Sequence, residues 1–436
     1  MLRRCFPTAV VVVALWALSS AGYAQGLGGI EIDADGVLQP QKIVAGLSAR
    51  RRNGKPELKP GEVCVSLRRL SGMLSQQGPD NAAADAFVLG GLTRIDQVVV
   101  LADERDVLLI GAGEAQSPGA AATFVGEATG RPLMRTGDFL ILLEQARRGR
   151  LSVRCSIDPE PARLREYDER IRTTAGSVAF SNAGAWYEGL ARVLGRQIIT
   201  VEGVPEDSRI SNVLAAADYS MKRIALGLEP SGVKEIKSQL GYAAADKGAI
   251  MKRWWFAPDY EDLAVSPDRT VFQLAGPRVR LLAQEEMILN SGQRVAADRQ
   301  GASTQAFARQ FSEHFDDLTA VRPIFADMKN QFDLAVVAAL LVREKLLDRF
   351  EIPLEVPGDA LAGWSPPAKT PRFVESGANM RRVNRGTIVG IVGGVDISPA
   401  SVLDREAPLG PEVQRHIPKA PAGLGESQFS WNLPAR

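Results

Sequence analysis

Leu151-Ser152-Val153-Arg154-Cys155-Ser156-Ile157 reads as a strand, and it opens a run in which strands and helices interleave. Helical text follows over 160–172 and 183–194, then a second strand over 197–203 and a helix over 208–226. A sheet and an amphipathic helix each have an apolar face to bury, so interleaved strands and helices favour a layered α/β arrangement over a helix bundle. The expected fold class is α+β: short helices and hairpins N-terminally, this layered mixed α/β middle, a long core helix, and C-terminal short strands.

Toward the N-terminus, residues 61–149 read as a small α+β domain. Leu67, Leu70 and Leu74 share a helical face, and two apolar strands over 98–101 and 107–110 flank the turn text Ala102-Asp103-Glu104-Arg105-Asp106. A helix over 138–147 closes this unit, with Gly149 as its stop. Residues 25–60 carry a strand opening at Ile30 and the basic linker GLSARRRNGKPELKP. Residues 1–24 read as a signal peptide, with Arg3 and Arg4, the apolar stretch TAVVVVALWAL, and Gly22-Tyr23-Ala24 as the cleavage site. That stretch falls short of the roughly 20 residues of a membrane-spanning helix. An exported protein is expected, periplasmic or extracellular, with no transmembrane segment after signal removal.

Toward the C-terminus, residues 150–403 read as one larger mixed α/β domain. The stretch over 254–275 is β-rich, with Ser266-Pro267-Asp268-Arg269 as a hairpin turn. Phe307, Phe311, Phe315 and Leu318 mark an amphipathic helix, and the next helix, over 324–347, would be about 36 Å long at about 1.5 Å per residue. Strands over 387–391 and 395–397 are placed on either side of Gly393-Gly394. Residues 404–436 form a Pro-rich tail, expected to be disordered or laid on the surface.

Composition excludes several function classes. The 436 residues leave room for two or three compact units, with 45% hydrophobic and 24% charged residues. Lys and Arg number 52 against 51 Asp and Glu, which lacks the basic excess of a general nucleic-acid binder. Two histidines and three cysteines are too few for a His/Cys zinc cluster, a haem or an iron–sulfur centre, so no metal and no cofactor is expected. Cys64 and Cys155 could bridge in an oxidising compartment or stand as two buried thiols, since both lie in strand-like apolar text.

Four motifs bear on chemistry. Gly111-Ala112-Gly113 follows a strand as a dinucleotide loop would, yet Gln116 stands at the third glycine position, and a hairpin end fits better. Glu31, Asp33, Asp35 and Gly36 resemble the start of a calcium loop, but Lys42 occupies the place of the bidentate glutamate, which leaves a tight turn. Ser231 and Lys234 match SxxK without its usual companions. The most unusual text is Arg253-Trp254-Trp255-Phe256-Ala257-Pro258-Asp259-Tyr260-Glu261-Asp262. Adjacent tryptophans on a strand point to opposite faces, so one can fill a core while the other covers a second layer or faces a cleft. Carboxylates beside such rings suit a sugar or peptide groove, and paired Asp/Glu can serve as acid and base. A doubly buried strand leading into an acidic loop explains the same residues without chemistry.

Val65-Ser66-Leu67-Arg68-Arg69-Leu70, Cys155-Ser156-Ile157-Asp158-Pro159, Ala217-Asp218-Tyr219-Ser220-Met221-Lys222, Gly227-Leu228-Glu229-Pro230 and the block from Arg253 to Tyr260 stand in one order. Together they resemble an exported bacterial family known as a domain of unknown function, number 1598, over about residues 61–400. The resemblance implies export and brings no activity, ligand or catalytic residue with it. Two functions are therefore carried forward. One is a non-catalytic binding or structural protein of the cell envelope, with Trp254, Trp255 and Tyr260 as ligand-binding candidates and a protein or envelope component as partner. The other is an exported hydrolase acting on glycan or peptide through Asp218, Asp259 or Glu261.

Overall fold

The computed structural model describes residues 30–40, 61–410 and 420–433, apart from 83, 118–123, 151, 175–176, 243–250, 299–300, 357, 381–386, 390, 422 and 426–427. The signal peptide at 1–24 and the basic linker at 46–60 lie outside the described residues. In chain order come β1 (Ile30–Ile32), β2 (Val37–Pro40), β3 (Gly61–Ser66), α1 (Leu67–Gln76), β4 (Gln97–Leu101), β5 (Asp106–Gly113) and α2 (Thr136–Arg147). The middle of the chain gives β6 (Val153–Pro159), α3 (Pro161–Thr174), α4 (Ala183–Leu194), β7 (Arg196–Glu202) and α5 (Arg209–Leu226). Then follow β8 (Met251–Asp259), β9 (Leu263–Val265), β10 (Val271–Gln273), β11 (Arg278–Ile288), β12 (Arg294–Ala296), α6 (Ala302–Glu313), α7 (Phe315–Val321) and α8 (Pro323–Arg343). The chain finishes with α9 (Leu346–Arg349), α10 (Gly358–Trp364), β13 (Phe373–Glu375), β14 (Ala378–Met380), β15 (Thr387–Val389), β16 (Ile391–Ile397), α11 (Ala400–Leu403), β17 (Glu406–Pro408) and β18 (Ser430–Asn432).

These elements make an α+β fold with two large sheets. One has nine strands in the order β1-β2-β13-β7-β6-β16-β8-β11-β12, and the other seven in the order β17-β9-β10-β4-β5-β3-β18. The expected hairpin over 98–110 is β4 and β5, paired antiparallel from Gln97↔Ile110 to Leu101↔Asp106. Its seven-stranded sheet is not confined to 61–149: β9, β10, β17 and β18 complete it from much later in the chain.

The inner faces of both sheets share one apolar cluster. Cys155, Ile157, Ile199, Trp254 and Phe256 enter it from the nine-stranded sheet, and Val63, Val65, Val98 and Leu109 from the seven-stranded one. Helix α8 runs through this cluster with residues buried on every side, and its buried Asp327, Gln331 and Asp333 are held by polar partners. The single amphipathic helix expected over 307–318 is two helices that break at His314, where Phe315 starts α7. The long helix stops at Arg343 because Lys345 takes a left-handed conformation, φ 53°.

Buried ion pairs tie the layers together. Arg278, at the start of β11, reaches the Ile95 and Leu274 carbonyls at 3.1 and 3.0 Å, Asp96 at 2.8 Å and Asp333 of α8 at 3.0 Å. Asp333 in turn accepts the Ile95 N–H at 2.9 Å and the Tyr260 hydroxyl at 2.7 Å. One arginine thus joins the nine-stranded sheet, the lead into β4 of the seven-stranded sheet, and the central helix. Its backbone sits at φ 81°, a strained conformation held by these contacts. A second set joins α2, α5 and α8, with Arg209 bonded to both Asp138 and Asp327 and Gln331 donating to Asp138.

Two expectations change here, for Gly393-Gly394 and for the tail, while the thiols, the tight turn and the SxxK serine follow the plainer reading of their text. Gly393 and Gly394 lie inside β16, not between two strands. The 404–436 tail supplies β17 and β18 and buries Leu409, Phe429 and Trp431, so its described part is built into the fold. Cys64 and Cys155 are free and occupy separate apolar clusters. The calcium-like text is the β1–β2 turn, in which Asp33 accepts the N–H groups of Asp35 and Val37. Ser231 donates to the carbonyls of Val233 and Ile236, which takes the hydroxyl of the SxxK motif.

Asp333→Ala leaves the Arg278 guanidinium without its buried counter-ion and the Ile95 N–H without its acceptor. The expected cost is about 3 to 5 kcal/mol, read from urea unfolding midpoints. A loss below about 1 kcal/mol would remove this arginine from its place as the link between sheets.

Candidate functional site

Helix α5 is set by its ends: the Ser208 side chain caps its first turn by accepting the Ser211 N–H, and Gly227 closes it at φ 69°. Asp218 and Lys222 lie one turn apart on the side facing β16. A Cβ at Gly393 would stand 2.4 Å from Asp218 Oδ1 and 2.8 Å from Lys222 Cε, so glycine is what lets the strand lie across the pair. Lys222 Nζ is 3.4 Å from Asp218 Oδ2 and donates to the Ile157 carbonyl at 2.9 Å and to Gln197 at 3.4 Å. Burial pushes the Asp218 carboxyl up to about 6, against the pull of Lys222. Burial likewise lowers Lys222, opposed by Asp218, and raises the neighbouring Cys155 thiol. Asp218 is therefore an enclosed structural charge.

The strand β8 separates the two tryptophans as alternation requires. Trp254 faces inward, fully buried, with Nε1 donating to the Thr304 carbonyl at 3.1 Å and its ring edge-on to Phe307. Tyr260 is buried as well, its hydroxyl committed to Asp333. Asp259 is partly exposed, 4.0 Å from Arg280. Glu261 is exposed in the following loop. Asp218 lies beneath Gly393, which pairs with Trp254, and Asp259 is five residues further along β8. At about 3.3 Å per residue that is on the order of 17 Å. Asp218 is thus not brought together with Asp259 and Glu261, and Trp254 and Tyr260 belong to the core.

Trp255 is different. It lies half-buried on the outer face, belongs to neither apolar cluster there, and carries the Arg253 guanidinium 5.0 Å from its ring centre. Helices α3 and α4 cover one end of this face, where Leu164, Tyr167 and Leu190 pack on Met251 and Val392. Beyond them the strand registers align Thr200, Ser156, Gly394, Trp255 and Leu282 in one row across five strands. Arg154 and Asp396, 3.4 Å apart, flank the row, and Gln284 sits opposite Arg253. The row carries one partly exposed aromatic ring, a buried glycine beside it, and hydrogen-bonding groups around both. Among the described residues no group of three or more His, Cys, Asp or Glu is arranged for a metal. Sequence reasoning found Trp255 but missed the rest of its row, because Ser156, Gly394 and Leu282 meet only through strand pairing. Lys222 carried a readable signal, a lysine four residues after an aspartate within apolar helix text.

Two tests follow from these placements. Trp254→Ala should cost about 3 to 5 kcal/mol, whereas Asp259→Asn should cost at most about 1 kcal/mol, both read by denaturant unfolding. The second concerns pH. The folded-state carboxyl of Asp218 is raised above its ordinary 3.8 to about 6, so its contribution to stability is full below the lower value and lost as pH rises through the upper. Wild type should therefore gain stability relative to Asp218→Asn between pH 7.5 and pH 4.5, by on the order of 2 kcal/mol, the rest of the shift being realised only below pH 4.5. A gap that is constant over this range would contradict the buried, proton-binding carboxyl.

No curated protein and no solved structure matches the chain. Residues 155–239, from β6 through α5, match the family described as Protein of unknown function (DUF1598). The match takes in Cys155, Gln197, Asp218 and Lys222, and leaves outside it the blocks around Val65 and Trp255. The resemblance expected over 61–400 is thereby supported for this inner segment, which is similar to an uncharacterised family.

Proposed function

We propose that the protein is an exported, non-catalytic binding protein of the cell envelope that holds a cell-wall glycan against the outer face of the nine-stranded sheet. The observation that carries this reading is Trp255, a partly exposed indole on the outer face of the sheet, packed into neither core. Strands β6, β16 and β8 are central, paired on both sides. A ligand there cannot add as another strand and must bind through side chains. The apolar area beside the ring is small, Leu282 being its neighbour across the strand, while Ser156, Thr200, Gln284 and Arg253 offer hydrogen bonds. A sugar ring suits that mixture, with a C–H face for the indole and hydroxyls for the polar side chains. Export is supported by the signal-like text at 1–24. The distance of Asp218 from Asp259 and Glu261 supports binding over hydrolysis. No helix among the described residues is long and apolar enough to cross a membrane.

The test is co-sedimentation with purified, insoluble cell-wall glycan. Trp255→Ala should weaken retention at least about tenfold, the equivalent of about 1.4 kcal/mol, measured at a temperature where the variant is shown by circular dichroism to be folded. Undiminished retention by Trp255→Ala would overturn the assignment of this face. Release of soluble sugar by wild type, abolished by Asp259→Asn, would replace binding with hydrolysis.

A further inference from the structure

The described residues of the tail supply both edge strands of the seven-stranded sheet: β17, paired with β9, and β18, paired antiparallel with β3 at the opposite edge. The pairing of β18 extends from the Phe429 carbonyl, which accepts the Ser66 N–H at 2.8 Å, to Leu433, whose N–H donates to the Glu62 carbonyl at 2.7 Å. On the outer face of this sheet Leu409, Leu424, Trp431 and Leu433 cover Cys64, Val99, Leu108, Ile110 and Val271. The tail therefore does two jobs: it completes the backbone of an edge strand and roofs an apolar face.

We infer that the β3 edge and the apolar face beside it form a docking site for an extended peptide strand, occupied at rest by the chain's own β18. The seated strand shows what the site takes: an extended segment that pairs with β3 and lays an indole over Cys64 at the register Trp431↔Cys64. Among the described residues of 420–433 two side chains are buried, Phe429 in the core shared by the sheets and Trp431 on the outer face, whereas Ala420, Pro421, Gly423, Gly425 and Gln428 are exposed. Trp431 Nε1 is buried and donates no hydrogen bond among the described residues, an unmet group that offsets part of what the ring contributes. Besides strand pairing, the contacts holding this segment include Arg69 to the carbonyls of Gly425 and Gln428 at 3.1 and 3.2 Å. A segment anchored at few points opens with less free energy than the whole fold, so β18 leaves while the sheets stay intact. Once it leaves, β3 presents unpaired backbone groups next to an apolar surface, and an incoming strand of matching pattern satisfies both. The partner is thus an extended peptide with an aromatic side chain centred over Cys64. This site is on the other sheet from Trp255, and neither result depends on the other.

Thiol alkylation resolved by peptide mass spectrometry tests the inference. In the native wild type, Cys64 should react at least about tenfold faster than Cys155, the factor that about 1.4 kcal/mol of easier opening gives. Trp431→Ala should speed Cys64 by a further tenfold or so, leave Cys155 unchanged, and bind a synthetic Gln428-to-Leu433 peptide that restores Cys64 protection saturably. Equal rates at the two thiols in wild type would show that β18 leaves only on global unfolding, and the inference would fail without any variant being needed. Failure of the peptide to protect an accessible Cys64 would equally overturn it.

Discussion

A buried guanidinium must be neutralised and hydrogen-bonded where it sits, and Arg278 can satisfy that demand only if two sheets and a helix meet around it. Its partners lie on the loop before β4, on α8 and on the loop after β10, while Tyr260 braces Asp333 from the end of β8. The crossing of the sheets is therefore fixed by a charge with few acceptable alternatives. Apolar packing alone tolerates sliding. A planar fork engaged with two carboxylates and several carbonyls does not.

The same device recurs where α5 and α6 are laid on the nine-stranded sheet. Lys222 and Asp218 pin α5 under β16, and Lys252, held at 3.3 Å from Glu285 and 2.9 Å from Thr304, pins the start of α6. Such pairs contribute little net stability against an apolar replacement, but each is costly to break. Their effect is to reject other registers. This accounts for charged residues in helix and strand interiors that composition alone would assign to the surface.

Local pattern carried much of the architecture. The β4–β5 hairpin, helices α3, α4 and α5 and strand β7 follow from short-range periodicity and turn residues, and the structure places them within one to three residues of expectation. Three things were beyond such reading. Strand pairing brings Ser156, Gly394 and Leu282 to Trp255 from distant stretches. A left-handed Lys345 and a break at His314 divide helices whose apolar pattern runs straight through. The proline-rich tail reads as disordered or laid on the surface, yet a few apolar residues, Leu409, Phe429 and Trp431 among them, build its described part into the fold. The choice between Trp254 and Trp255 was also hidden. Alternation says that they part company, and only the layer on each side says which ring is left in the open.

The pairing of β18 with β3 also orders events in time. The strand that needs a neighbour lies at residues 61–66, and the strand that supplies it lies at 430–432, at the far side of nearly every other element. Closing so long a loop is slow, and until then an open strand edge and an apolar sheet face remain exposed. The vulnerable interval in this protein's birth is the wait for residue 433.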